Sequence, residues 1–143
     1  MYEISEVNGV HLSYTIDALN RLDPYFPELE ERHIVDGYWW LAYLDKEPVA
    51  FAGMVEFLPP PAKVGYFKRC LVKPGHYGRG IQYRMMQARL LKAKQIGWTM
   101  LVSECRNDNE RSANNFRRAG FDEFEPEQPW AQDSIFFKKT LQE

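Results

Sequence analysis

Between Tyr66 and Ile96 a strand-like run passes through a glycine-rich turn directly into a helical repeat, and this junction constrains the chain more than any other stretch. Tyr66-Phe67-Lys68-Arg69-Cys70-Leu71-Val72 has the aromatic and branched content of a strand. Beyond the turn, Ile81, Met85 and Ala88, then Met86, Leu90 and Ala93, recur at helical spacing. Gly78 and Gly80 fall at the junction, where a residue without a side chain lets the backbone turn tightly and come close to a ligand. The first N–H groups of the helix have no partners inside it and, with the helix dipole, favour an anion such as a pyrophosphate. An ordinary structural turn uses the same residues, so the rest of the chain decides between the two.

Along the chain, Tyr2 to Tyr14 reads as a strand with a polar turn at Asn8-Gly9, and Ile16 to Leu22 as a helix. Asp23-Pro24 and Phe26-Pro27 mark a turn ahead of a short acidic helix ending near Asp36. Tyr38–Leu44 and Pro48–Phe57 are strand-like runs joined by Asp45-Lys46-Glu47, a hairpin signature. After Pro59-Pro60-Pro61, a strand from Val64, a helix to Ile96, a strand from Trp98, a helix from Glu110 to Ala119 and a strand from Ser134 to Thr140 complete a mixed α/β order. The strand–helix–strand crossover implies adjacent parallel strands.

The second informative stretch is Asn109-Glu110-Arg111-Ser112, followed by a short helix and Gly120-Phe121. Together with Val72-Lys73-Pro74 and Tyr77-Gly78-Arg79-Gly80-Ile81-Gln82, it resembles the GNAT superfamily of acyl-CoA-dependent N-acetyltransferases over roughly Val64 to Phe121. Two motifs stand in that family's order and at its separation. Tyr77 occupies the place of the family's Arg or Gln, and Gln82 that of its Gly or Ala. Most phosphate contacts in such a loop come from backbone amides, which tolerate side-chain changes if the backbone path is kept.

The resemblance implies an α/β (α+β) fold with a mixed, mostly antiparallel central sheet, a splayed parallel strand pair and flanking helices, in a single domain over 1–143. It places Leu71 and Val72 beside the pantetheine arm of acetyl-CoA, Tyr77, Gly78, Arg79, Gly80, Ile81 and Gln82 at the pyrophosphate, and Asn109 and Ser112 beside the arm. Asn109 is equally suited to cap the following helix. The family's acid is often a tyrosine where this chain has Phe116, so Phe116 can line the cofactor but gives no proton; Tyr66, Tyr77 or water are substitutes. For the base, Glu104 and Glu56 end strand-like runs, with Glu104 the first choice. His76 and the lysines Lys68 and Lys73 are read as solvent-facing.

With 18 basic and 20 acidic residues and a net charge of −2, the chain has no global footprint for nucleic acid or an anionic membrane. Apolar residues make up 45%, enough for a packed core, yet no run approaches the about 18 that span a bilayer. A cytoplasmic protein is expected. Cys70 and Cys105 belong to no metal-ligand pattern, so free thiols and no metal are expected. The segments Tyr25–Asp36 and Phe124–Asp133, both acidic and aromatic, suit an amine-bearing acceptor, a small molecule or a peptide. A homodimer is left open. The expected activity is acetyl transfer from acetyl-CoA to a primary amine by direct attack; a CoA-binding regulatory module without turnover is the alternative.

Overall fold

In the computed structural model, which describes residues 1–141, the elements are β1 (Tyr2–Val7), α1 (Ser13–Asn20), α2 (Glu31–Asp36), β2 (Tyr38–Leu44), β3 (Glu47–Leu58), β4 (Val64–Val72), α3 (Ile81–Ile96), β5 (Met100–Arg106), α4 (Glu110–Arg118), β6 (Asp122–Phe124) and β7 (Ser134–Thr140). The strands hydrogen-bond in the order β1-β2-β3-β4-β5-β7-β6. β4 and β5 form the parallel pair, through Val64↔Met100, Gly65↔Leu101 and Tyr66↔Val102, while β1–β2, β2–β3, β5–β7 and β6–β7 are antiparallel. The mixed, mostly antiparallel sheet with flanking helices is thus the one expected.

Local chemistry explains where elements start and stop. β1 ends at Val7 instead of running to Tyr14, because Asn8 Oδ1 accepts from the N–H groups of Val10 and His11 at 2.9 and 3.0 Å. That turn hands the chain to α1. Asp45 and Lys46 both take positive φ, 49° and 69°, the two-residue hairpin turn whose twist matches the strands it joins. β5 starts at Met100, two residues later than expected, since the N–H groups of Gly97 and Trp98 both go to Ala93 C=O at 3.1 Å and close the end of α3. β6 has three residues, too few to show an alternation.

By internal contacts the chain divides into two compact units, Met1–Val55 with Lys68–Met85, and Glu56–Phe67 with the chain from Met86 onward. In the first, strand alternation sends side chains to two separate clusters. Trp39 and Leu41 of β2, Phe51 of β3 and Leu71 of β4 pack with Ile16, Leu19 and Ile34 of α1 and α2. Ala42, Ala50 and Ala52, with Val49, pack with Ile81 and Met85 at the start of α3. Each large side chain so buried contributes about 1.5–3 kcal/mol. Arg69 interrupts β4 with φ of 57°, in the left-handed region. Its guanidinium lies 5.1 Å from the centre of the Phe26 ring and donates to Pro27 C=O at 3.2 Å, tying the α1–α2 segment to the strand.

In the second unit the two faces of β5 differ. Leu101, Ser103 and Cys105 are buried. Ser103 Oγ donates to Phe67 C=O at 2.9 Å. Around Phe67 gather Phe121 at 5.5 Å between ring centres and the guanidinium of the buried Arg89 at 4.0 Å. Phe116 of α4 stacks on Phe137 of β7 at 4.7 Å and meets Phe121 edge-on at 5.1 Å. The other face carries Glu104.

Candidate functional site

The first candidate region is the turn into α3. Gly75, Gly78 and Gly80 have φ of 95°, 75° and 77°, which L-residues adopt only with strain, and a side chain added at any of them would meet no atom within 4 Å. Their backbone therefore faces open space. The helical ladder begins with Arg84 N–H donating to Gly80 C=O at 3.0 Å. A helix of 16 residues so started offers its first-turn N–H groups to an anion. Tyr77 and Arg79 are exposed, Gln82 is half-buried, and Ile81 is buried as the anchor of the turn. Leu71 and Val72 lead into the turn from β4, their side chains committed to opposite clusters. This arrangement suits an anion held by backbone donors.

His76 does not simply face solvent. Its Nδ1 pairs with the Tyr2 hydroxyl at 2.8 Å, and Arg84 donates to Tyr2 C=O at 3.1 Å, so β1 braces the turn. Lys73 reaches Glu47 at 3.5 Å.

Asn109 caps α4, its side-chain oxygen accepting from Ser112 N–H at 3.1 Å. That side chain is thereby oriented at the helix start, with Ser112 half-buried beside it. Phe116, 5% exposed, is a core residue with one ring stacked on it and another edge-on.

The second candidate region is built from side chains. Glu104 lies opposite Phe136 in the β5–β7 register, and Phe136 opposite Phe124 in the β6–β7 register, so the three share a sheet face. The Tyr66 hydroxyl sits 2.6 Å from Glu104 Oε1 and 2.8 Å from Oε2, and Trp130 Nε1–H donates to Oε1 at 2.6 Å. Phe57 stacks on Tyr66 at 5.8 Å and meets Trp130 edge-on at 5.1 Å. Trp130 is backed by Phe136 at 4.7 Å and Phe124 at 6.2 Å. The hydroxyl has one proton and the indole one, against about four acceptor positions on a carboxylate. Glu104 retains capacity to accept from, or take a proton from, an incoming group.

Glu56 is exposed, and alternation along β3 turns it away from Phe57. Cys105 is chemically quiet, as burial, with Glu104's charge beside it, pushes its thiol up to about 11. Neither cysteine is in a disulfide. Among the described residues no group of three or more Cys, His, Asp or Glu could hold a metal ion, and no helix is long and apolar enough to cross a membrane. A cleft of about 470 Å³ lined by Glu6 to Val10, Val35, Gly37 and Tyr38 shares no residue with either candidate region.

Trp130 and Phe57 were not singled out for function by sequence. Trp130 lies in the irregular stretch before β7, where no periodicity points it at Glu104. Alternation gives each strand its faces but not the β5–β7 register that sets Glu104 opposite Phe136.

Solved structures of similar fold include an N-acetyltransferase from Staphylococcus aureus Mu50, with TM-score 0.77, 17% identity and 99% of each chain covered. The ribosomal-protein-S18-alanine N-acetyltransferase from Escherichia coli gives TM-score 0.77 at 16% identity, covering 98% of this chain and 94% of that one. An IAA acetyltransferase from Bacillus cereus gives TM-score 0.74 at 17% identity, covering 99% and 100%. No curated protein matches the sequence. Residues 10–121 match the model of the acetyltransferase (GNAT) family, and the chain therefore belongs to that family.

Proposed function

We propose that this protein transfers an acetyl group from acetyl-CoA to a primary amine, with Glu104 as the base. The observation that carries the assignment is the Glu104 carboxylate, oriented by Tyr66 and Trp130 yet with acceptor capacity left over. Acetyl-CoA supplies the activated thioester. The backbone of Tyr77 to Gln82 at the start of α3 holds its pyrophosphate, Leu71 and Val72 offer main-chain groups to the pantetheine amides, and Asn109 and Ser112 border the arm. Glu104 takes one proton of the acceptor ammonium, so that the nitrogen lone pair can form the new C–N bond; as the C–S bond breaks, the nitrogen gives its second proton to solvent and becomes the amide. The sulfur leaves with the electron pair and is protonated from solvent, since Phe116 has no proton to give.

Without a dedicated acid, turnover falls by about 10²–10⁴-fold relative to a site that has one. Thiolate is a tolerable leaving group, and orientation of the two reactants still lowers the barrier. The placement of Phe116 within a ring stack favours a second reading, an acyl-CoA-binding regulatory module without turnover.

Release of CoA thiol from acetyl-CoA, followed with a panel of primary amines, separates them. The transferase reading requires amine-dependent release that Glu104→Gln slows by about 10²–10⁴-fold while acetyl-CoA affinity is kept. Tight acetyl-CoA binding with no thiol release for any amine would leave the regulatory module.

A further inference from the structure

Glu104, Tyr66, Phe57 and Trp130 form a closed circuit of contacts: hydrogen bonds from Tyr66 and Trp130 to the carboxylate, and ring contacts from Phe57 to both. All four residues are partly buried, so each keeps some of its surface in solvent. A carboxylate among aromatic rings is an expensive structural element, because apolar walls replace part of its hydration. Fold stability alone would be served as well by a neutral or apolar residue. The combination instead matches what a cation needs: ring faces that attract positive charge within about 6 Å, and one counter-charge. The same wall already holds a cation, Lys138 Nζ, at 5.0 Å from the centre of the Phe124 ring.

We infer that this circuit is the seat of the acceptor's head group, and that the acceptor carries an alkylammonium on an apolar stem. That the seated group is then acetylated rests on the transferase reading above; the binding of the cation does not. Tyr66 and Trp130 fix the carboxylate, the rings of Phe57, Tyr66 and Trp130 line the methylene groups next to the nitrogen, and Glu104 neutralises the charge. Recognition works through charge and ring faces as well as N–H donors. A quaternary ammonium that cannot be acetylated therefore occupies the same seat.

The test is an NMR titration of the ¹⁵N-labelled full chain, following the indole N–H of Trp130, assigned by its loss in Trp130→Phe. The probes are hexylammonium, hexyltrimethylammonium and 1-hexanol at constant ionic strength. Saturable movement of the Trp130 resonance with both cations and not with hexanol supports the seat, as does an at least about tenfold weaker affinity for hexylammonium in Glu104→Gln. Hexanol acting like hexylammonium, no movement with either cation, or an unchanged affinity in a folded Glu104→Gln protein would overturn it. Should Glu104→Gln not fold, the charged-against-neutral comparison on the wild type decides. A parallel acetyl-CoA titration separates the two claims: cation binding without acetyl-CoA binding keeps the seat and removes the transferase reading, whereas acetyl-CoA binding without cation binding does the reverse.

Discussion

Around the turn into α3 the side chains stand back. Gly78 and Gly80 have none, Tyr77 and Arg79 are exposed, and what the turn presents is backbone N–H. Around Glu104 the reverse holds: an oxygen pair is positioned by a hydroxyl, an indole and three further rings drawn from β3, β4, β6, β7 and the stretch before β7. A backbone-built site depends on φ and on space, so it should tolerate changes of side chain at Tyr77 and Gln82. One built from side chains depends on each member, and identity at Glu104 should matter far more than identity at Gln82.

The sharpest break of that contrast is Glu104→Gln, which keeps shape and removes the proposed base: turnover should fall by about 10²–10⁴-fold with acetyl-CoA affinity unchanged. Parallel loss of affinity would mean that the carboxylate supports the cofactor region. Next in size is Phe116→Ala, which opens a cavity in the ring stack and should lower unfolding free energy in urea by about 3–5 kcal/mol. Acetyl-CoA affinity of the folded protein should barely change, and a large change would make Phe116 a cofactor contact. Gly80→Asp forces a side chain into a left-handed conformation and sets a carboxylate where the pyrophosphate would lie, for an expected loss of about a hundredfold in acetyl-CoA affinity. Gln82→Ala, by contrast, should stay within about twofold. Asn109→Ala removes a helix cap worth about 1 kcal/mol, and Asn109→Ser should restore it; affinity recovered along with stability would assign Asn109 to capping alone.

The smallest effect concerns pH. Burial, aided by Lys68, holds His33 below its ordinary value of 6.5. The unfolded chain then binds its proton first, so this contribution to stability is fully present above 6.5 and is lost as pH falls through the folded value. Urea unfolding of His33→Gln between neutral and mildly acid pH should show a shallower loss than wild type, and identical slopes would contradict the assignment.

How legible each region was follows from the same contrast. The strand–turn–helix of Val64–Ile96 is local, with glycines, period and branched residues all within one stretch, and the structure has those elements there. β2 and β7 also match the expected bounds, since alternation or aromatic content marks both. The end of β1 was hidden, because Asn8's side chain, not hydrophobic period, turns the chain. Glu104 could be singled out as a carboxylate near the end of a strand, although β5 runs on to Arg106 because Cys105 and Arg106 also pair with β7. Its partners could not, for Tyr66, Phe57 and Trp130 are distant in sequence and meet only through the parallel β4–β5 pairing and the loop before β7. His76 looked like a loop residue until β1 brought Tyr2 to it.

Titration calorimetry of acetyl-CoA into wild type, Gly80→Asp and Glu104→Gln is the most direct test of the proposed backbone-built cofactor site and of its independence from Glu104. The account predicts micromolar binding to wild type and to Glu104→Gln, and binding weakened about a hundredfold in Gly80→Asp. No binding to wild type, or equal binding to wild type and Gly80→Asp, would contradict it.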